Sequence, residues 1–339
     1  MTAGSTVLRP LRSRRSARAA VGVAGLLLLA CATVGVGAHF LGPVSTVVTL
    51  AASFTPLCVA LAAVATLMLV AARWRYPALA GVLVVTLGVA SQLPLYIGQA
   101  GPVSDQAQPV LRLFQANIRL GEADAAALAR TVRSERIDVL TVAELTAPAA
   151  ERLAAAELER TLPYTYLEPK EGGGGEGIYS RHPLTETAKI PGLQHNNLRA
   201  TIDVPGAGPV AIYALHPVPP YPLPAWRWAT ELDRIGDALA AETMPLVVGA
   251  DFNSTYDHER YRNLLRLRGP GDAPLVDAAE YLGIGIVATY PAGRWYPAVL
   301  AIDRILARGA TPVSMRRVGI PGSDHHGLIG DLGLDSVQH

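Results

Sequence analysis

Two kinds of apolar pattern divide the chain. Over roughly the first hundred residues the apolar positions run together, whereas beyond them they alternate with polar positions or recur at helical spacing. Three stretches, at about residues 20–40, 45–72 and 77–97, contain no charged residue. Each reaches the roughly 20 residues that an α-helix needs to cross a hydrocarbon core. They predict three transmembrane helices, the first two joined only by Leu41-Gly42-Pro43-Val44. Residues 99–109, rich in Gly, Pro, Ser and Gln, read as a linker. It separates a membrane region, 1–98, from one globular domain, 110–339.

In that domain the spacing predicts a strand over 110–114, a helix over 123–134 with Leu128 and Val132 on one face, and an apolar strand over 137–143. Further strands are expected at 178–180 and 210–215. An amphipathic helix follows, carrying Trp228, Leu232, Ile235 and Leu239 at spacings of four, three and four, and then buried strands at 244–248 and 302–306. Strands outnumber helices and are not each followed by one, which points to an α/β (α+β-like) domain of mixed sheets rather than a regular doubly wound fold. No internal repeat is visible. Gly172-Gly173-Gly174-Gly175 lacks the Lys-Ser/Thr of a phosphate loop and is expected to be a surface loop.

Charge sharpens the division. Residues 1–104 hold seven arginines and no acid, while residues 105–339 hold 22 basic and 28 acidic residues, a net of −6. Arg9, Arg12, Arg14, Arg15 and Arg18 precede the first span, and Arg73 and Arg75 lie between the second and third. Both clusters belong on the cytoplasmic side by the positive-inside rule, so an odd number of spans places the domain on the extracytoplasmic face of a multi-pass cell-membrane protein. A lipoprotein signal ending at Cys31 fits poorly, because the apolar run continues through Val34 and Val36. Nothing after Ser13-Arg14-Arg15 completes a twin-arginine signal. Two cysteines, Cys31 and Cys58, both within apolar runs, exclude a disulfide scaffold.

The chemistry sits where apolar strands end. In Leu246-Val247-Val248-Gly249-Ala250-Asp251-Phe252-Asn253, a chain that stays extended points Asp251 and Asn253 to one side, where they can bind a hydrated cation or hold a water; the alternative is an ordinary turn after a strand. Glu144 follows Val139-Leu140-Thr141-Val142-Ala143 in the same way, either capping the next helix or binding a hard cation, and Asn117 follows Leu113-Phe114-Gln115-Ala116. Asp303 lies inside an apolar strand, and a buried carboxylate needs a cationic partner. Arg304 points to the opposite face of that strand, so a histidine is the better partner. His216, at the end of the 211–215 run, and Ser323-Asp324-His325-His326 supply histidines beside strand ends.

Taken in order, these segments resemble the endonuclease/exonuclease/phosphatase family, in a membrane-anchored bacterial form, over about residues 110–332. Asn117 matches the family's first-strand Asn, Glu144 its metal-binding Glu, and Gly177-Ile178-Tyr179-Ser180-Arg181 its Gly-hydrophobic-Ser-Arg strand. His216 matches the mid-chain His, and Gly249–Asn253 the Gly-Asp-x-Asn signature with Ala250 inserted. Ile302-Asp303-Arg304-Ile305 is similar to the late Asp strand, and Ser323-Asp324-His325 to the terminal Ser-Asp-His. The resemblance implies a deoxyribonuclease I-like four-layer β-sandwich flanked by helices. It also implies cleavage of a phosphoester by in-line attack of water, dependent on Mg²⁺ or Mn²⁺. By carry-over Glu144 is the main metal ligand, assisted by Asn117 and Asp324. Asp251 orients or deprotonates the water, with Asn253 holding it or a phosphate oxygen. His216 and His325 bracket the phosphate, Asp303 pairs with His325, and Arg181 joins the substrate-binding residues. Where the family has Gln before the metal-binding Glu this chain has Ala143, and His326 has no counterpart.

Substrate choice is open among nucleic acid, phospholipid and small phosphoesters. The net −6 and only two lysines, Lys170 and Lys189, lack the basic stripe of a tight nucleic-acid binder. Pro219–Trp226 is either an apolar rim facing the lipid bilayer or a stiff loop packed on the domain. The alternative function is a catalytically silent binding domain of the same fold on a membrane anchor, against which every matched catalytic position is filled.

Overall fold

A computed structural model of the protein describes residues 9–99 and 108–335. Residues 100–107, the greater part of the expected linker, and the side chains of Arg9, Arg12 and Arg14 lie outside the described residues. The chain divides into two compact units, Met1–Leu93 and Pro94–His339.

The first unit is helical: α1 (Arg9–His39), α2 (Thr46–Ser53), α3 (Thr55–Ala72) and α4 (Arg75–Gln92); a 3₁₀ turn, Leu93–Leu95, follows α4 into the second unit. Among the described residues, three segments are long and apolar enough to cross a membrane: Arg15–His39, Thr55–Ala72 and Arg75–Leu95. The second expected span, 45–72, is therefore broken. Pro56 has no N–H to donate back along a helix and its ring blocks the preceding turn, so Phe54 closes α2 and opens α3. Large apolar side chains such as Leu27, Leu67 and Leu79 point outward from these helices, the pattern of a surface solvated by lipid rather than water.

The second unit contains, among the described residues, β1 (Val110–Asn117), α5 (Ala125–Ser134), β2 (Val139–Ala143), α6 (Ala147–Ala155), β3 (Tyr164–Glu168), β4 (Glu176–Ser180), β5 (Leu184–Lys189), β6 (Leu198–Val204), β7 (Gly208–Leu215), α7 (Ala225–Ala241), β8 (Leu246–Asp251), α8 (Glu259–Arg266), β9 (Val276–Asp277), α9 (Ala278–Leu282), β10 (Asp303–Arg308), β11 (Ala310–Gly319) and β12 (His326–Leu334). The strands form two six-stranded sheets, ordered β11-β12-β1-β2-β4-β3 and β5-β6-β7-β8-β10-β9. β1 with β2, and β7 with β8, are parallel; every other pair is antiparallel. Both sheets are mixed, as the uneven helix count predicts.

Period-2 alternation explains the layers. Leu111, Leu113, Val139 and Ile178 of the first sheet face Ile202, Ile212, Val247 and Ile305 of the second in one buried cluster between the sheets. The intervening residues, Phe114, Leu140 and Val142, bury against Leu128 and Val132 of α5 and Leu153 of α6. On the outer face of the second sheet Tyr213, Val248 and Leu306 bury with Trp228, Leu232 and Ile235 of α7 and Leu264 of α8. Each fully buried Leu or Ile contributes about 1.5–3 kcal/mol, so these three cores supply most of the domain's cohesion. Apolar residues fill the inter-sheet face until the strands end, and polar ones take over there.

The Gly-rich run is solvated only at Gly172. Gly173 to Gly177 are buried, Gly175 accepts a hydrogen bond from the Leu145 N–H at 2.9 Å, and a Cβ on Gly175 would collide with the Leu145 carbonyl. β4 must pair with β2 up to Ala143 opposite Glu176, which brings the preceding glycines hard against the segment that carries Glu144.

Candidate active site

The inter-sheet face of each central strand ends in a functional side chain. On β1 that face runs Leu111, Leu113, Gln115, Asn117; on β2 it ends at Ala143, one residue before Glu144. Asn117 is fully buried, and its Nδ2 donates to Glu144 Oε1 and to Asp251 Oδ2, both at 3.0 Å. Its Oδ1 accepts from the Arg119 N–H at 2.9 Å, and its carbonyl accepts from Ser323 Oγ at 2.8 Å. One amide thus holds two carboxylates together. Glu144 has a left-handed backbone, φ 64°, and its Oε2 accepts from the Leu120 N–H at 2.6 Å. A non-glycine residue held there carries strain that tight surroundings must maintain.

Asp251, the last residue of β8, is buried, and the chain leaves the extended conformation immediately afterwards. Asn253 adopts φ 50° and its N–H donates back to Asp251 Oδ1 at 2.9 Å. The expectation that an extended chain sets Asp251 and Asn253 side by side is therefore corrected, because an Asx-type turn orients them. Asn253 Nδ2 donates to the Pro217 carbonyl at 3.0 Å, tying the turn after β8 to the segment that follows β7.

Two imidazoles flank Asp251. Its Oδ2 lies 3.8 Å from His216 Nε2 and 3.8 Å from His325 Nδ1. Each imidazole also has its own acid. His325 Nδ1 is 2.8 Å from Asp303 Oδ2, while Gln115 Nε2 donates to Asp303 Oδ1 at 2.9 Å. His216 Nδ1 faces Glu176 Oε1 at 3.4 Å, an ion-pair contact without hydrogen-bond alignment. Burial alone would lower both imidazole pKa values, but the carboxylates outweigh it. His216 is raised to about 9 by Glu176 and Asp251, and His325 to about 10 by Asp303 and Asp251. Burial, and then Asp303, push Asp251 above the usual carboxylate range. Burial also raises Glu176, against the pull of His216.

Backbone fixes the rest. Ser323 Oγ accepts from the His325 N–H at 3.0 Å while donating to Asn117. The Tyr290 ring lies 4.8 Å from that of His325, and Thr289 Oγ1 accepts from the Asp303 N–H at 3.3 Å. Asn197 Oδ1 accepts from the His216 N–H at 2.7 Å.

Of the residues expected from sequence, Asn117, Glu144, His216, Asp251, Asn253, Asp303 and His325 converge here. Asp324 is half-exposed, with its carboxylate 3.9 Å from Arg119 Nε. His326 opens β12, and its N–H donates to the Thr289 carbonyl at 2.9 Å. Arg181 is not brought to the cluster. β4 runs antiparallel to β2, so Ser180 pairs with Val139 while Glu176 lies opposite Ala143. Arg181 therefore falls at the far end of the sheet, where it pairs with Asp138 at 3.2 Å. Glu176, Gln115 and His195, whose ring lies 4.8 Å from that of His216, were not anticipated. Glu176 carried a signal, namely an acid at the start of an otherwise apolar strand.

The donor set suits a hard divalent cation. Glu144 and Asp251 converge as oxygen donors around the Nδ2 of Asn117, and Asp251, Asp303 and His325 have ligand atoms all within 4.8 Å of one another. The carboxylates outnumber the two imidazoles.

Comparison with known proteins agrees with this geometry. The Endonuclease/Exonuclease/phosphatase family matches residues 114–325. The structure is similar to an endonuclease/exonuclease/phosphatase from Beutenbergia cavernae DSM 12333 (TM-score 0.51, 22% identity, covering 67% of this chain and 72% of that one). It is similar too to D. rerio TDP2 complexed with single strand DNA product (TM-score 0.53, 20% identity, 66% and 99%). A functionally unknown conserved protein from Enterococcus faecalis V583 superposes likewise (TM-score 0.52, 13% identity, 66% and 100%). These identities establish a shared fold, and no curated protein sequence matches the chain. With its two mixed sheets flanked by helices and more than half its length matched, the chain belongs to the endonuclease/exonuclease/phosphatase family.

Proposed function

We propose that the protein is a membrane-attached, divalent-cation-dependent phosphoesterase whose catalytic domain lies outside the cytoplasm. The observation that carries this reading is the single carboxylate of Asp251 set between two imidazoles, each backed by its own acid. Glu144, assisted by Asn117 and Asp324, would hold Mg²⁺ or Mn²⁺. When bound, the cation supplies positive charge to the phosphoryl oxygens.

The chain's own residues supply the rest. His216 and His325, kept protonated by Glu176 and Asp303, donate to the oxygens on which charge develops. Asp251, its proton affinity raised by burial, accepts the proton of the attacking water. Asn117 holds Glu144 and Asp251 at fixed separation. Asn253, anchored to Pro217, keeps the turn after β8 against the segment after His216, and its second amide hydrogen would donate to a phosphoryl oxygen. Arg181, tied to Asp138 at the far end of the sheet, has no part in the reaction.

The test is a substrate panel given to the full-length protein in detergent with Mg²⁺, Mn²⁺ or EDTA: DNA, RNA, phospholipids, inositol phosphates and a chromogenic diester. Turnover that requires the cation and drops at least about a thousandfold in both Asp251→Asn and His325→Ala supports the assignment. Turnover that survives EDTA or either substitution refutes it, as does a folded protein inert on the whole panel.

A further inference from the structure

We propose that the mouth of the active site rests on the bilayer that anchors the chain, and that the ester it takes is carried on a phospholipid headgroup. This deepens the preceding reading and depends on it for the chemistry.

Three separate loops leave the site, and each presents a large apolar side chain to solvent. Leu120, whose N–H holds Glu144, is 50% exposed. Tyr221 and Trp226, in the segment that begins directly after His216, are 64% and 60% exposed. Trp295 is 95% exposed, with Tyr296 edge-on beside it at 5.3 Å. The loop carrying Trp295 is fastened to the site by the Ala292 N–H on the Asp324 carbonyl at 2.6 Å. Tryptophan and tyrosine are the side chains that settle at a membrane–water boundary, where one part of the ring system is buried and its polar atom stays wet. Each tryptophan adjoins an exposed arginine, Arg227 and Arg294, with the Arg227 guanidinium 5.5 Å from the Trp226 ring. Positive charge at these two tips, on a domain of net −6, suits an anionic headgroup layer.

The tether between the apolar helices and the domain says what lies within reach of this rim. Leu95 is the last residue of the third apolar segment, and its side chain is buried in the same cluster as Val218 and Phe252, which follow His216 and Asp251 by two residues and one. Its carbonyl accepts from the Gly285 N–H at 2.8 Å, and the Gln99 N–H donates to the Tyr281 carbonyl at 2.8 Å. Gly285 precedes Thr289, which contacts Asp303, by four residues, no more than about 14 Å of chain. Leu95 and Gln99 are thus held against the domain itself, which leaves only a short tether between the last apolar helix and the domain. A substrate lying in the same membrane reaches such a site by lateral diffusion.

The test uses the full-length protein in vesicles of phosphatidylcholine and phosphatidylglycerol, with and without bromine-labelled acyl chains. Among the four tryptophans, Trp226 and Trp295 should be quenched by the label, so that Trp226→Phe and Trp295→Phe each remove a quenchable component. The double variant Trp226→Ser/Trp295→Ser should cleave vesicle phospholipid at least about tenfold more slowly than wild type while keeping its rate on a soluble diester. Absence of quenching at both tryptophans, equal loss on both substrates, or a wild type that cleaves DNA, RNA or the soluble diester but no phospholipid would each overturn the inference. In the last case the phosphoesterase survives. A wild type inert on every ester would instead refute the phosphoesterase, and quenching would still decide the membrane contact.

Discussion

Glu176 shows how one buried side chain sets the working range of another. It stands opposite Ala143 in the β2–β4 register, on the face that looks between the sheets, so the small Ala143 leaves room for a carboxyl that reaches His216. With Glu176→Gln the imidazole faces a neutral amide and releases its proton at lower pH. The alkaline limb of the rate profile should move down by at least about one pH unit, with a smaller change on the acid side. A limb that stays in place would mean that Glu176 does not govern His216. His195 obeys the opposite sign. Burial first, and then the neighbouring His216, lower its pKa to about 3, below the ~6.5 of an unfolded histidine. Between these values the unfolded chain binds a proton that the native one refuses, so this group removes stability as pH falls below about 6.5, and the loss is complete below about 3. His195→Gln keeps a polar partner for the His216 carbonyl and should flatten the decline in thermal midpoint between pH 7 and 5. Neither role was legible in the sequence, because both depend on which strand ends meet. Asp303 was more legible: a carboxylate inside an apolar strand demands a partner, and the structure sets His325 at 2.8 Å.

At the scale of elements, what the sequence concealed is mostly where strands stop and what lies beside them. Hydrophobic alternation gives the strands leading to Asn117, Glu144 and Asp251, since it needs only local pattern. It is silent on the direction of β4, which decides that Glu176 rather than Arg181 reaches the mouth. It is silent too on the Gly-rich run, where composition suggests a solvated loop and packing against Leu145 makes glycine obligatory. A Gly175→Ala substitution should therefore act at a distance from the reacting groups. The new methyl must displace the Leu145 backbone, and Glu144, held at φ 64° one residue earlier, shifts with it. The expected cost is about 1–3 kcal/mol of stability, read as a lower thermal midpoint, together with a weakened response of activity to added Mg²⁺. Gly172→Ala, whose Cβ would meet open space although its φ of 69° costs a side chain about 1 kcal/mol, is the comparison and should change the Mg²⁺ response far less. Equal effects from the two would show that flexibility of the run, not its fit against Leu145, is what matters.

The whole molecule carries two orders that the residues alone do not announce. The two sheets repeat one topology: an antiparallel hairpin, a parallel pair bridged by helices, then two antiparallel strands. Under that correspondence Glu176 at the head of β4 matches Asp303 at the head of β10, so the two acid–imidazole pairs flanking Asp251 are products of one architecture used twice. No sequence repeat betrays it, because equivalent topology constrains only apolar alternation and not residue identity. The other order is charge. The seven arginines of residues 1–104 lie only before the first apolar segment and between the second and third, while the connection between the first and second holds none. Under the proposed topology that asymmetry sets the orientation by the positive-inside rule, with the amino terminus and the Arg73–Arg75 connection inside and everything after the third span outside. A periplasm-dependent reporter such as alkaline phosphatase fused at the carboxyl terminus should then be active, and a reporter that matures only in the cytoplasm should be dark. Moving the balance should move the domain: replacing Arg73 and Arg75 by Ser and placing two arginines between Leu41 and Val44 reverses the bias at two connections and should reduce the active exported fraction severalfold. A cytoplasmic reporter that lights in the unaltered chain would place the domain inside and, with it, leave the arginines without the orienting role that their distribution implies.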